Sequence, residues 1–298
     1  MASDHHLKIL YRSAVLAIGD NVCTAVNRGL SVEKWSGSYK IVIPRSGLFI
    51  NMARGKQILA DPNQIIFYNK NESYRTGHPV AGGDRCTAFV VDDQVLSDMR
   101  APYDRRVADE RNSRFPFDGT AGTPATYLKH RILLNRLGHQ SLTEKLEIDE
   151  IALNLAGDII GHAYATTDRN LPRLRESTSR SHFELTDRVK VVLASKYNQP
   201  LSLDDVAREC FSSAFHLCRV FKRVSGISIH QYLNRLRLRL SLEQVMDSDL
   251  TRLALDMGFS GHSHFTHAFR REFGLSPSEL RRSATVKTIR KMSKNLTV

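Results

Sequence analysis

The stretch GFSGHSHFTHAFRREFGLSPSELRR, residues 258–282, decides the fold of the C-terminal part of this 298-residue chain. Its apolar residues recur at helical spacing. A copy of the same pattern, with a shorter turn, precedes it in the sequence. Val206-Ala207, Leu217, Phe221 and Gly226 return as Leu253-Ala254, Phe265, Phe269 and Gly274. The offset is 47 for the first pair and 48 afterwards, so the second copy holds one extra residue in its turn. Such a repeat predicts two copies of one helical unit.

Each copy has the pattern of two short helices joined by a tight turn. In the first copy Ser202 opens a helix whose first turn is acidic, and Gly226 ends the second helix. The expected buried faces are Leu203, Val206, Ala207, Cys210, Leu217, Val220, Phe221 and Val224 in the first copy, and Leu250, Leu253, Ala254, Met257, Phe265, Ala268, Phe269 and Phe273 in the second. These patterns predict two helix-turn-helix units.

A long helix over residues 229–245 is predicted to join the two units. Its 17 residues span about 26 Å. That length approaches the ~34 Å between successive major-groove faces of DNA. One chain can therefore place both second helices on one side of a duplex.

The outer faces of the two second helices suit DNA. Phe215 has no packing role there, but beside Arg219 it can contact a thymine methyl while the arginine binds guanine. His262, His264 and His267 raise a metal site as an alternative, but no cysteine or carboxylate joins them at ligand spacing. Of the net charge of +12, +9 lies in residues 185–298, which favours a polyanionic partner.

Together with VARECFSSAFHLCRVFKRVSGISIHQYLNRLRL, residues 206–238, the opening stretch resembles the AraC/XylS family of bacterial transcription regulators. The resemblance implies sequence-specific binding of double-stranded DNA, contact with RNA polymerase, and activation as the family's commoner mode. It places Phe215, Cys218, Arg219, His262, Ser263, Thr266 and His267 at DNA bases. We expect contacts with the DNA backbone from Ser213, His216, Lys222, Arg223, His264, Arg270 and Arg271. Phe211 and His267 depart from the family, which often has a small residue and an arginine at these positions.

The N-terminal half has a different pattern. Between residues 39 and 91 the runs KIVIP, GLFINM, QIIFYN and TAFVV alternate with turn-forming residues, which is typical of short strands. From Asp93 onward the periodicity is helical, most clearly over residues 146–165. The strand-rich part resembles the small cupin-like domains with which many AraC/XylS members sense a ligand or dimerise.

The predicted fold class is therefore α+β. A cupin-like β-barrel with flanking helices occupies residues 1–168, and a polar linker covers 169–184. An all-α domain, the AraC-type double helix-turn-helix with its long connecting helix, occupies 185–284, and a basic tail covers 285–298.

We expect the N-terminal domain to bind a small-molecule effector of unknown identity, without a cofactor. Trp35, Tyr39, Arg45, Tyr74 and His78 are candidates to line a pocket for an aromatic or acidic molecule, although core and surface packing explain them equally well. The HxH pattern of metal-binding cupins is missing, and we expect no metal. Cys23, His78 and Cys86 remain a minority hypothesis for one, because a buried cysteine is more often a small core residue.

The widely spaced cysteines, the lack of a membrane-length apolar run and the lack of a signal peptide predict a cytoplasmic protein without membrane contact. The family resemblance implies a homodimer associated with the nucleoid. No spacing indicates a nucleophile with its base, so we expect no catalytic residues. Two alternatives stay open. One is a cupin metalloenzyme fused to a DNA-targeting module, and the other is a ligand-independent repressor or scaffold.

Overall fold

The computed structural model describes residues 5–25, 29–109, 114–138, 144–167 and 176–283. Strands fill most of the N-terminal part and helices the C-terminal part, so the predicted α+β class is confirmed. The strands are β1 His5–Arg12, β2 Leu16–Cys23, β3 Lys34–Trp35, β4 Lys40–Gly47, β5 Phe49–Ala53, β6 Lys56–Ala60, β7 Gln64–Tyr68, β8 Ser73–Gly77, β9 Asp84–Val91 and β10 Gly119–Ala121. The helices are α1 Asp93–Arg100, α2 Arg106–Asp109, α3 Pro124–Gly138, α4 Lys145–Thr167, α5 Glu176–Lys196, α6 Leu203–Glu209, α7 Ala214–Ser225, α8 Ile229–Ser241, α9 Leu250–Asp256, α10 His262–Phe273 and α11 Pro277–Ser283.

The strands form two antiparallel sheets. One has the order β1-β2-β9-β4-β7-β10 and the other β3-β8-β5-β6. Side chains alternate along β9, so that Phe89 and Val91 join the core shared with α3 and α4, while Cys86 belongs to a smaller cluster on the opposite face. Closure of the sheets into a cupin-like barrel remains a prediction.

Strands β1 and β2 lie outside the strand-rich segment predicted from the sequence. Gly19-Asp20-Asn21 has the composition of a turn, yet these residues lie inside β2 and pair with β9. Pairing on both sides of β2 overrides the weak local preference. In the parts of the chain that the structure describes, no helix is long and apolar enough to cross a membrane.

Part of the predicted linker is helical. Residues 176–184 belong to α5, and 168–175 lie outside the described residues, as does the predicted basic tail. The helix forms because Leu185, Val189, Val192 and Leu193 give it a buried stripe against the first helix-turn-helix unit. The domain boundaries themselves remain predictions.

Both helix-turn-helix units have the predicted layout. In the first unit Ser202 and Asp205 form a capping box at the start of α6, and α7 ends at Gly226, which has a φ of 77°. The predicted core residues of α7 and α10 are buried, apart from Val224, which is half-buried. Leu203 is the one clear exception, being 40% exposed, because it occupies the first position of α6 beyond the edge of the core.

The connecting helix is shorter than predicted. α8 ends at Ser241 after 13 residues, about 20 Å, and not at residue 245. Beyond it the N–H groups of Leu242, Glu243 and Gln244 donate to carbonyls three residues back, which tightens the chain into a 3₁₀-like turn. The apolar spacing continues through this turn, and for that reason sequence periodicity did not mark the helix end.

The turn of the first unit contains a strained residue. α6 and α9 end in the same type of hydrogen bond, in which an N–H donates to the carbonyl five residues earlier. The bond runs from Ser212 N to Ala207 O after α6 and from Phe259 N to Ala254 O after α9. This arrangement needs a left-handed residue just before the donor. Gly258 takes that conformation in the second unit with a φ of 76°, and Phe211 takes it in the first with a φ of 52°.

We expect Phe211→Gly to stabilise the protein by about 0.5–1 kcal/mol. Removing the Cβ from a residue with left-handed backbone relieves about 1–2 kcal/mol of strain. Part of this gain is lost because glycine has more backbone entropy to lose on folding. Urea unfolding measures the change. Phe211→Ala is the matched control, because it removes the 93% exposed ring but keeps the Cβ, and should change stability by less than about 0.5 kcal/mol. A loss of stability in Phe211→Gly would contradict strain at this position.

Candidate DNA-binding surface and effector cavity

Helix α7 presents the predicted recognition face of the first unit to solvent. Its N-cap Ser213 accepts a hydrogen bond from the backbone N–H of His216. The ring of Phe215 is 77% exposed, and the Arg219 guanidinium lies 6.0 Å from its centroid. This cation–π contact holds the apolar ring of Phe215 beside the hydrogen-bond donors of the Arg219 guanidinium on one surface. The helix carries no acidic residue.

Helix α10 presents a more polar face. His262 Nε2 lies 3.4 Å from Thr266 Oγ1, and His264 Nδ1 lies 3.1 Å from Ser260 Oγ. The three histidines of this helix take part in no metal-type cluster within the described ranges. All three histidine side chains are exposed and can therefore reach an external partner.

The base of α10 is tied to α11 by a charged contact. Arg270 Nη2 lies 3.1 Å from Glu279 Oε2, which also accepts hydrogen bonds from the hydroxyl and N–H of Ser276. The Ser276 hydroxyl, its N–H and then Arg270 lower the pKa of Glu279 to about 2. The carboxylate thus stays charged across the physiological range.

Most of the predicted DNA contacts are exposed. The exposed members are Ser213, Phe215, Cys218, Arg219, Lys222, Arg223, His262, Ser263, His264, His267, Arg270 and Arg271, while His216 and Thr266 are half-buried. Their roles toward DNA remain predictions.

A cavity of about 590 Å³ lies between the two sheets of the N-terminal part. Its wall is largely apolar, and three cationic side chains reach it, those of Arg12, Lys34 and Lys40. Burial lowers the pKa of Lys40. Among the described residues the Lys40 ammonium has no hydrogen-bond or ion-pair partner, whereas Lys34 Nζ lies 3.5 Å from Thr76 Oγ1. An unpaired, partly desolvated cation beside an apolar wall is suited to an anionic ligand.

Only one of the five predicted pocket residues, Tyr74, lines this cavity. Trp35 is 67% exposed on the short edge strand β3. Tyr39 packs edge-on against Phe115 in the core, because Lys40, the next residue, takes the cavity side. Arg45 is buried in an ion-pair network with Asp20 and Glu243.

His78, the fifth predicted pocket residue, belongs to a buried cluster instead. Its Nε2 lies 2.6 Å from Asp84 Oδ1, and the Cys86 thiol donates to Asp84 Oδ2 over 3.1 Å. One ligand-type atom each from Cys23, His78 and Asp84 lies within 4.8 Å of the other two. Burial first, and then Asp84, raise the pKa of the Cys86 thiol well above its usual value. The sequence singled out both cysteines and the histidine but missed Asp84, whose position before Cys86 on one strand was the available signal.

A buried arginine joins the two halves of the chain. Arg239 of α8 donates from Nη1 to the side-chain oxygen of Asn63 and from Nη2 to Gly122 O over 2.9 Å. Its guanidinium also lies 4.2 Å from the centroid of the Tyr127 ring. Beside it, the hydroxyl of Tyr232 donates to Asp61 Oδ2 over 2.7 Å, and burial raises the pKa of that carboxyl group. The N-terminal part therefore holds α8 through several directional contacts.

A second ion-pair network lies just beyond the end of α8. Arg45 of β4 pairs with Asp20 at 3.0 Å and with Glu243 in the turn after α8. Asp20 also accepts from Arg85, and despite the opposing effect of burial, Arg85 and Arg45 lower the pKa of Asp20. This network connects a strand of the cavity wall to the segment between the two helix-turn-helix units.

The model of the helix-turn-helix domain family matches residues 206–283. Among curated proteins, the HTH-type transcriptional activator RhaR of Salmonella schwarzengrund (strain CVM19633) is 30% identical over 157 residues, which are 51% of this chain and 53% of that protein. The RhaR protein of Salmonella arizonae matches to the same extent. The chain spans about half the length of the curated relatives it matches.

Two solved structures are also similar to this chain. ToxT of Vibrio cholerae is 12% identical, covering 90% of this chain and 99% of that one, with a TM-score of 0.37. The C-terminal domain of AraT from Geobacillus stearothermophilus is 25% identical, covering 33% and 84%, with a TM-score of 0.32.

The matched domain and the curated relatives confirm the resemblance predicted from the sequence. The chain therefore contains a helix-turn-helix domain near its C-terminal end.

We expect Arg239→Met to destabilise the protein by about 3–5 kcal/mol, because the change leaves buried acceptors on Asn63 and Gly122 without a donor. Urea unfolding followed by intrinsic fluorescence measures the loss. Arg252→Met is the matched control, since Arg252 makes an exposed pair with Asp256 and should contribute less than about 0.5 kcal/mol. Equal effects of the two changes would show that Arg239 does not hold the halves together.

Proposed function

We propose that this protein is a sequence-specific DNA-binding transcription regulator, an activator, whose two helix-turn-helix units bind adjacent major grooves. One observation carries the proposal. In both units the second helix buries its apolar stripe and exposes a face of basic, polar and aromatic groups that has no role in packing. Such a face matches the edges of bases and the flanking phosphates.

A side chain that contacts both helix-turn-helix regions supports binding to adjacent grooves. Arg237 of α8 donates to Tyr197 O and Gln199 O at the end of α5, over 2.6 and 2.9 Å. Its guanidinium also lies 5.8 Å from the centroid of the Phe259 ring in the turn of the second unit. One side chain thus contacts segments of both units, which limits how far they can move apart.

The first test is selection of genomic DNA by the full-length protein across a salt series. We expect a motif with two short blocks about one helical turn apart, and an affinity that falls steeply with salt. Arg219→Ala should cost about 1–3 kcal/mol of specific affinity and relax the preference at one base position. Arg180→Ala is the matched control, because Arg180 is an exposed arginine on α5 that pairs with Glu184. Unchanged specificity in Arg219→Ala would show that the recognition face lies elsewhere.

We propose further that the effector is an organic carboxylate bound in the cavity between the sheets. The Lys40 ammonium supplies the counter-charge, and the apolar wall covers the rest of the molecule. Arg12 pairs with Ala17, and Ala17 pairs with Val90. Val90 follows Phe89, whose partner Ile41 is the neighbour of Lys40, so Arg12 and Lys40 lie toward the same end of the cavity. Two cations at one end of an apolar cavity favour a ligand with one charged end.

Strand β4 supplies a physical route from the effector to DNA. Lys40 and Val42 of β4 line the cavity, and Arg45 of the same strand pairs with Glu243 beyond the end of α8. A ligand that shifts β4 therefore changes the contacts of the segment between the two units. Homodimer formation and contact with RNA polymerase remain predictions from the family resemblance.

Thermal unfolding of the full-length protein with benzoate, phenylacetate, octanoate and decanoate tests the ligand class. A carboxylate at about 100 times its Kd stabilises by about 2.7 kcal/mol, a shift on the order of 5 °C. The corresponding primary amides should give no shift, and Lys40→Met should abolish the shift seen with the acid. Lys56→Met, at an exposed hairpin end, is the matched control. Equal shifts from acids and amides would contradict a carboxylate effector.

A further inference from the structure

We propose that Cys23, His78, Asp84 and Cys86 form a zinc site in the N-terminal domain. The atoms available as ligands are the two thiol sulfurs, the Nε2 of the histidine and a carboxylate oxygen. All four residues are buried, with relative exposures of 2%, 4%, 8% and 2%. The proposal rests on this cluster alone and does not depend on DNA or effector binding.

Strand pairing brings the ligands together. Cys23 ends β2 and lies directly opposite Asp84 at the start of β9, so both side chains point to the same face of the sheet. Cys86 follows Asp84 by two residues and therefore shares that face. His78 arrives from the other sheet, just after β8. The site thus joins the two sheets at one edge of the cavity.

The distances suit a tetrahedral metal. Bonds of 2.0–2.3 Å to nitrogen, oxygen and sulfur place neighbouring ligand atoms about 3.3–3.8 Å apart. Atoms of Cys23, His78 and Asp84 lie within 4.8 Å of one another. The Cys86 sulfur lies outside this group, 3.1 Å from Asp84 Oδ2, and has to turn toward the other three to become a ligand. The contact of 2.6 Å between His78 and Asp84 needs to open by less than about 1 Å to admit the ion.

The backbone around the cluster is fixed by close packing. A Cβ on Gly83 would lie 1.8 Å from Cys23 O, and a Cβ on Gly47 would lie 2.1 Å from Gly83 O. Both glycines have a positive φ, of 66° and 79°. Three chain segments therefore meet backbone to backbone beside the ligands, and only glycine permits the approach. A site held this way loses little conformational entropy when an ion binds.

The ligand set selects the metal. Two thiolates, one imidazole and one carboxylate favour zinc over magnesium, calcium or manganese, which prefer all-oxygen sites. With Cys86 turned in as the fourth ligand, the protein fills a tetrahedral shell and leaves no open position for water. The chemistry is therefore that of a closed structural or sensory site, and it does not support the metalloenzyme alternative considered for this chain.

The decisive measurement is metal binding to the full-length protein. The purified protein is reduced, stripped with a chelator, loaded with zinc, separated from free ion by gel filtration and analysed by mass spectrometry for metal. We expect one zinc per chain. Loading with cobalt(II) in place of zinc should give an intense sulfur-to-cobalt charge-transfer absorption that two thiolates produce. Less than about 0.1 equivalent of zinc in folded protein, without this absorption, would overturn the proposal.

Variants assign the ligands. Cys23→Ser and Cys86→Ser should each roughly halve the cobalt absorption and lower zinc affinity by more than about 100-fold, since even outer-shell changes cost 10–100-fold. Cys218→Ser is the matched thiol control for metal content, because Cys218 is exposed on α7, and it should keep one zinc. Unchanged absorption in Cys86→Ser would remove that residue from the site. Where a variant fails to fold by circular dichroism, the wild-type cobalt spectrum decides alone.

Discussion

The buried guanidinium of Arg239 is the contact on which the arrangement of the whole chain depends. It extends from the helix between the two helix-turn-helix units into the N-terminal part, where the Asn63 side chain and the carbonyl of Gly122 accept its hydrogen bonds. A buried charge of this kind is tolerated only when its partners are in place, so it penalises every other way of docking the halves. The position of α8, and with it both recognition helices, is consequently tied to strands that surround a cavity.

The C-terminal part was predictable because its information is local. Gly226 and Gly274, the capping residues Ser202 and Ser213, and the two buried stripes all act within a few residues of where they stand, and the repeat displays them twice. The N-terminal part was less so, because its strands are defined by partners far along the chain. Gly19-Asp20-Asn21 has turn composition and becomes a strand only between β1 and β9.

The same difference explains the candidate sites. Exposure of Phe215 and Arg219 follows from helical periodicity alone, since their neighbours fill the core. Which side chains face a cavity depends on strand register, which one sequence does not reveal. For this reason the sequence points to Tyr39 and Arg45 as pocket residues, whereas it is Lys40, on the opposite face from Tyr39, that lines the cavity. The sequence alone does not indicate Asp84, because its place in the cluster depends on Cys23, which lies some sixty residues earlier in the chain but directly opposite in the sheet.

The two recognition helices differ in chemistry, and this difference gives the proposed operator a direction. α7 carries an aromatic ring with arginine and lysine, while α10 carries three histidines with serine and threonine. A twofold dimer binds a palindrome, which is the same in both orientations. A single chain with two unlike helices binds two unlike half-sites in a fixed order. Inverting such a site in front of a promoter turns the N-terminal domain to face the opposite way along the DNA. The orientation of the operator, and not only the spacing of its half-sites, then decides which neighbouring gene the bound protein can regulate.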